Sequence, residues 1–318
     1  MSDSRPVRRW IVQALKLVVG GTLIAWLVTS RRLDFSPLWE KSQSPLHLVG
    51  FSLLVTSFIP QVLRWRRLLE TQKVNATRRQ VLSWFWIGEF FMLVLPGTLG
   101  GELARGVYVV RRTGRGRLAA LSTVAVDRAV GLFATLFLGT LSAAVLLLGE
   151  PPSSAPQSGA GTVVALLLLV MCAALVGVGF EPTRTILMRL VPKRFLASVE
   201  SVLNNYLTQK KLLVWCFALS LMAHLLMMTA FMVAGRILGS PLLWHQVLLT
   251  VPLVFLSVVL PLSPGGIGVG ETVASVLFAQ LGVENGAAIM LMIRVWLIVV
   301  QLSGGLVYVF HRSSAARP

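Results

Sequence analysis

The sequence predicts an all-α, polytopic helical bundle in a membrane, with six full transmembrane helices and two re-entrant hairpins arranged as an inverted-topology repeat. The first observation is composition: 318 residues that are 55% hydrophobic and 13% charged, with a mean hydropathy of +0.78, do not make a water-soluble globule. The second is a set of apolar runs of the roughly 20 residues that a bilayer crossing needs. The third is a duplicated turn. LPGTLGGE, Leu95–Glu102, recurs as LPLSPGG, Leu260–Gly266, with Pro96, Thr98, Gly100 and Gly101 matching Pro261, Ser263, Gly265 and Gly266 at a constant offset of 165. Gln80-Val81-Leu82 matches Gln246-Val247-Leu248 upstream at an offset of 166. The expected organisation is a single transmembrane domain, 1–318, with an internal repeat over 11–149 and 162–310.

The elements follow in order. Met1–Arg9 is short and basic, and the apolar run Ile11–Thr29 lacks a small-residue cleavage site at its end, so it reads as a retained helix. Arg31–Ser44 is a mixed loop before a second span, Pro45–Leu63. RWRRLLETQKVNATRRQ, Arg64–Gln80, carries six Lys and Arg and reads as a cytoplasmic, partly amphipathic segment at the headgroups. Val81–Val110 is apolar between two basic flanks, which implies an even number of crossings in too few residues for two full helices. It is therefore expected to enter from the cytoplasm, turn at Pro96, Gly97, Gly100 and Gly101, and leave on the same side. Broken backbone at membrane depth is tolerated only where protein encloses it or water reaches it, so the turn is a candidate site.

Leu118–Gly149 is a span carrying Asp127-Arg128, and Glu150–Gly161 is an external turn with no basic residue. Thr162–Phe180 returns inward to a second basic surface segment, Glu181–Lys211. Leu212–Gly235 goes out, Leu242–Leu281 holds the second turn (Pro261, Ser263, Gly265, Gly266, Gly268), and Gly286–Phe310 comes back. Of 29 Lys and Arg, 23 fall on the inside of this topology when Lys16 and Arg105, near the inner ends of their apolar segments, are counted there, four fall outside, and Arg128 and Arg294 lie within spans. That bias places both termini in the cytoplasm. Three crossings per half make the second half inverted, so its hairpin enters from outside.

Glu89, Glu102, Asp127, Arg128, Glu271 and Arg294 lie in or beside apolar sequence, where a charge costs about 2.5–3.5 kcal/mol on insertion scales. They need partners. The simplest arrangement clusters Glu102 and Arg105 with Asp127 and Arg128 in one half, and Glu271 with Arg294 in the other; Arg294 lies 166 positions beyond Arg128. Two readings stay open: ion pairs that only fix helix register, or arginines that receive an anionic headgroup and are held by the carboxylates when the site is empty.

Other signals are weaker. Cys172 and Cys216 sit in apolar runs and read as small buried hydrophobes, with no metal-ligand spacing. GGIGVGE lacks the strand context and lysine of a phosphate loop, so no nucleotide cofactor is expected. RRTGRGR, and the net charge of +17, reflect the positive-inside bias and not nucleic acid. His224 reads as a helix–helix hydrogen-bond partner, and Trp84, Trp86 and Trp215 as interfacial anchors.

Together, RWRRLL, LPGTLGGELARGVYVVRR, Asp127-Arg128-Ala129-Val130-Gly131 and LPLSPGGIGVGE resemble the flippase-like family that includes the transmembrane region of lysylphosphatidylglycerol synthases, over about Ile11–Phe310. Glu102 stands where many relatives have Asp. The resemblance implies movement of polar or polyprenyl-linked lipids between leaflets, and it supports Gly100, Gly101, Glu102, Arg105, Asp127, Arg128, Gly265, Gly266, Gly268, Glu271 and Arg294 as site residues. Some members carry a fused aminoacyl-transferase domain; this chain ends at Pro318 without one, so translocation and not headgroup synthesis is expected. The expectation is a non-enzymatic inner-membrane flippase. Its partner would be an anionic phospholipid, an aminoacylated lipid or a polyprenyl-phosphate-linked lipid, with a homodimer or a separate lipid-modifying enzyme as further partners. The alternative is an accessory subunit or membrane-embedded transferase acting on a lipid carrier, but the loops Arg64–Gln80 and Glu181–Lys211 hold no metal-binding Asp pair or catalytic His.

Overall fold

In the computed structural model the described residues are 40–94, 100–113, 117–148, 204–259 and 263–315, with Val18, Thr22, Ala25 and Thr29. Apart from those four residues, the predicted span Ile11–Thr29 lies outside them. So do the external turn Glu150–Gly161, the span Thr162–Phe180, residues 181–203, Cys172, and the turn residues Pro96, Gly97 and Pro261.

Eight α-helices and one short 3₁₀ turn are bounded within the described residues, residues 204–207 are also helical, and no strand occurs among them. In order these are α1 (Leu46–Thr71), α2 (Arg78–Val94), α3 (Gly100–Thr113), α4 (Arg117–Leu148), α5 (Lys210–Ile237), α6 (Trp244–Val259), the turn Pro264–Gly266, α7 (Val269–Gln280) and α8 (Gly286–Ala315). Four stretches are long and apolar enough to cross a bilayer: Leu46–Thr71, Ala120–Leu141, Lys210–Ile237 and Gly286–Phe310. They coincide with four of the six predicted spans, and the chain is a multi-pass integral membrane protein. The remaining helices are short. At about 1.5 Å per residue, the 16 residues of α6 and the 12 of α7 reach roughly 24 and 18 Å, less than the roughly 30 Å hydrocarbon core.

Local chemistry sets the boundaries. α1 ends in a left-handed residue, Lys73 at φ 54°, with the Val74 N–H returning to the Leu69 carbonyl at 3.0 Å. α2 opens on a capping box, in which the Thr77 N–H donates to Gln80 Oε1 at 2.8 Å and the Gln80 N–H to Thr77 Oγ1 at 3.3 Å. α7 closes at Gly282, φ 76°, with the Val283 N–H on the Phe278 carbonyl at 2.9 Å.

These boundaries correct one expectation. Arg64–Gln80 is not a single headgroup segment, because α1 continues through it to Thr71 and buries Arg64, Trp65, Leu68 and Leu69. Arg66 and Arg67 pair with Glu70 at 3.1 and 3.2 Å on another helix face, and Lys73, Arg78 and Arg79 beyond the end of α1 are exposed. Trp84 is a second correction: at 1% exposure it is a core residue and not an interfacial anchor. Trp215 is 55% exposed.

The chain divides into two compact units that interleave in sequence. One comprises Met1–Thr56, Ser83–Ala104 and Leu226–Pro318, the other Ser57–Leu82 and Arg105–Leu225. In the first, α6 packs on α7 and α7 on α8. Glycines set the approach distances there: a β-carbon on Gly286 would lie 2.5 Å from the Ala274 carbonyl oxygen, and one on Gly101 would meet the Gly88 carbonyl and Met92. Trp86 Nε1 donates to Ser303 Oγ at 3.0 Å, tying α2 to α8. In the second unit, Leu68, Tyr206 and Cys216 form a core backed by Val126, Val130 and Leu212, and the Trp65 indole donates to Thr123 Oγ1 at 3.3 Å.

Candidate functional site

In the first unit the chemistry gathers at the turn between α6 and α7. Gly265 (φ 58°), Gly266 (φ 70°) and Gly268 (φ 82°) all occupy left-handed backbone, which a side chain resists. At Gly266 a β-carbon would also fall 2.6 Å from Val258 Cγ1. Arg294, on α8, clamps the turn: Nη1 donates to the Gly265 carbonyl at 3.0 Å and Nη2 to the Gly266 carbonyl at 3.0 Å. Glu271, in the first turn of α7, accepts from Arg294 Nε and, at 3.2 Å, from Nη2. Its Oε2 also accepts the Gly268 N–H at 2.8 Å, so one carboxylate both closes the turn and neutralises the arginine. Glu271 is fully buried and Arg294 8% exposed. Gly270 gives the guanidinium its room, since a β-carbon there would lie 3.2 Å from Nη2. Ser263 Oγ, in a residue only 1% exposed, has no hydrogen-bond partner among the described residues.

The second unit repeats the device on different elements. Arg64 Nε donates to Asp127 Oδ1 at 2.6 Å, and Arg64 Nη1 to Ser220 Oγ at 2.6 Å; the Ser220 hydroxyl in turn donates to the Cys216 carbonyl at 2.8 Å. Asp127 and Gly131 are four residues apart on α4 and so share a face. The first supplies charge and the second space, because a β-carbon on Gly131 would be 3.3 Å from Arg64 Nη1. One turn on, His224 Nε2 lies 3.1 Å from Thr135 Oγ1 and 3.3 Å from the Gly131 carbonyl oxygen, the helix–helix contact expected of it.

Of the predicted site residues, Glu271, Arg294, Ser263, Gly265, Gly266 and Gly268 come together in one turn. The predicted partner of Asp127 is corrected. The structure gives Asp127 to Arg64, which sequence reasoning placed at the headgroups, and in this respect Arg64, not Arg128, mirrors Arg294. Arg128 is half-buried beside Asp127. Arg105 is 7% exposed, with its guanidinium carbon 5.8 Å from the Trp65 ring centre. Glu102 is half-buried in the first turn of α3, where a helix favours negative charge. Gly100 and Gly101 begin α3. The missed signal at Arg64 was helical register: Leu68 lies four residues on, whereas Arg66 and Arg67 lead to Glu70.

The family model described as the lysylphosphatidylglycerol synthase TM region matches residues 13–305. No curated protein and no solved structure matches the chain.

Proposed function

The chain belongs to the family of lysylphosphatidylglycerol synthase TM regions, and from that premise we propose that it is a lipid translocase of the cell's inner membrane, with both termini cytoplasmic. In this reading a polar or anionic headgroup passes by the two broken hairpins, α2–α3 and α6–α7, while the acyl chains stay in the bilayer. The observation that carries the reading is the α6–α7 turn. Three left-handed glycines and a buried Arg294–Glu271 pair interrupt apolar helices too short to cross a membrane. A bilayer-embedded protein tolerates such a break where it lines a polar path.

The charged residues proposed to meet a headgroup are Glu102, Glu271 and Arg294 in the first unit and Arg105, Asp127 and Arg128 in the second. Arg294 acts mainly on the turn, since four of its five N–H groups are already engaged. No nucleotide motif is present in the sequence, so net pumping would draw on an ion or proton gradient, with Glu102, Asp127 and Glu271 as coupling carboxylates. The test is reconstitution into liposomes with labelled anionic phospholipid, aminoacylated phospholipid and polyprenyl phosphate. Translocation of at least one class is expected; none, from folded protein, would refute the proposal.

A further inference from the structure

His47, in the first turn of α1, and Trp296, on α8, lie in the same compact unit and belong to neither arginine–carboxylate pair. Trp296 Nε1 donates to His47 Nδ1 at 3.3 Å, and the two rings meet edge to face with 5.9 Å between their centres. The other ring nitrogen, Nε2, lies 3.0 Å from the Lys41 carbonyl oxygen. These partners fix where the imidazole proton sits. An indole N–H only donates and a carbonyl only accepts, so Nδ1 is bare and Nε2 carries the hydrogen. The ring is thereby held as one neutral tautomer.

The contact is close. Gly50 lies three residues after His47 on the same helix face, and a β-carbon there would collide with the six-membered ring of Trp296. The start of α1 therefore rests on both ends of the indole, which is 6% exposed. His47 itself is half-buried and makes no ion pair among the described residues. Glu40 and Lys41 are exposed in the connection before α1, and Lys41 meets the ring only through its carbonyl. On α8 the charge nearest Trp296 in the chain is Arg294, which is engaged by Glu271 and the turn carbonyls.

Histidine is the side chain that gains a proton in mildly acidic water. Here the second proton has to enter on Nδ1, where the indole N–H already points, and two donors would then face each other with no acceptor between them. We propose that the His47–Trp296 hydrogen bond is a proton-sensitive latch, closed while His47 is neutral and released when the ring is protonated. Release frees the start of α1 from the helix that carries Arg294, the clamp of the α6–α7 turn. The latch stands apart from the translocase reading and would survive its failure.

The test is hydrogen–deuterium exchange of the purified full chain in detergent at about pH 5 and about pH 8, read in peptides covering residues 46–56. Each variant is compared with wild type at the same pH, so that intrinsic exchange rates cancel. His47→Asn puts an uncharged acceptor near the position of Nδ1 and keeps the latch closed throughout. Wild type should exchange at least about threefold faster than His47→Asn in acid, the effect of losing one hydrogen bond, and at the same rate in alkali. Trp296→Phe keeps a ring but removes the donor, so it should match wild type in acid and exchange faster than wild type in alkali. Wild type and His47→Asn exchanging alike in acid, or differing by the same factor at both pH values, overturns the latch. So does Trp296→Phe that exchanges like wild type in alkali. Where one variant fails to fold, the other decides alone.

Discussion

Glu271 accepts three N–H groups, from Arg294 Nε, Arg294 Nη2 and Gly268, at zero exposure. Removing its charge strands a buried guanidinium, which typically costs about 3–5 kcal/mol, whereas removing both charges costs much less. Glu271→Gln should therefore lower thermal stability in detergent strongly, and Glu271→Gln with Arg294→Gln should regain most of the loss; a double variant as unstable as the single would show that the pair contributes more than mutual neutralisation. Tyr206 offers a pH handle. Burial pushes its phenol from 10.0 up to about 12, and its hydroxyl donates to the Leu68 carbonyl at 3.3 Å. The fold thus favours the neutral phenol, a stabilisation that is complete below about pH 10 and lost as pH rises through about 12. Of the three tyrosines, one should ionise late in an ultraviolet titration, and Tyr206→Phe should delete that step. The Glu271–Arg294 pair was legible in the sequence because both residues flank the same short connection. Arg64–Asp127 was not, because 63 residues separate them and the positive-inside pattern hid a core arginine among surface ones.

At the level of elements, the α6–α7 hairpin depends on backbone that only glycine adopts cheaply. Gly265 has open space around its β position, so Gly265→Ala should cost only the left-handed strain, about 1–2 kcal/mol. Gly266 meets Val258 as well, so Gly266→Ala should add an overpacking penalty of about 1–3 kcal/mol. Equal losses for the two, measured by thermal unfolding, would mean that the turn is not packed against α6 as described. This hairpin could be read from its repeated Pro and Gly-Gly spacing. The connection from α1 to α2 was misread, since its capping box, Thr77 to Gln80, lies inside a basic run whose composition pointed to headgroups. Composition reports the mean environment of a segment, while register decides which of its residues face the core.

For the whole molecule, fold class and four spans were legible from hydropathy because bilayer thickness dictates helix length. The interleaving of the two units was not, because it arises from packing between helices distant in sequence, which periodicity does not encode. Sidedness has its own check: a cysteine at Glu284, exposed between α7 and α8, should react with an impermeant reagent from outside, and one at Thr113 should not. Labelling at Thr113 from outside would mean that α2–α3 crosses the membrane instead of returning. The most direct measurement of the central claim is leaflet-selective chemical quenching of fluorescent phosphatidylglycerol in proteoliposomes. If the chain translocates lipid, wild-type vesicles should lose inner-leaflet fluorescence as well as outer, while protein-free vesicles and those holding a folded Gly266→Leu variant keep it. Inner-leaflet label protected equally in all three, for this lipid and for aminoacylated and polyprenyl-phosphate probes alike, would contradict it.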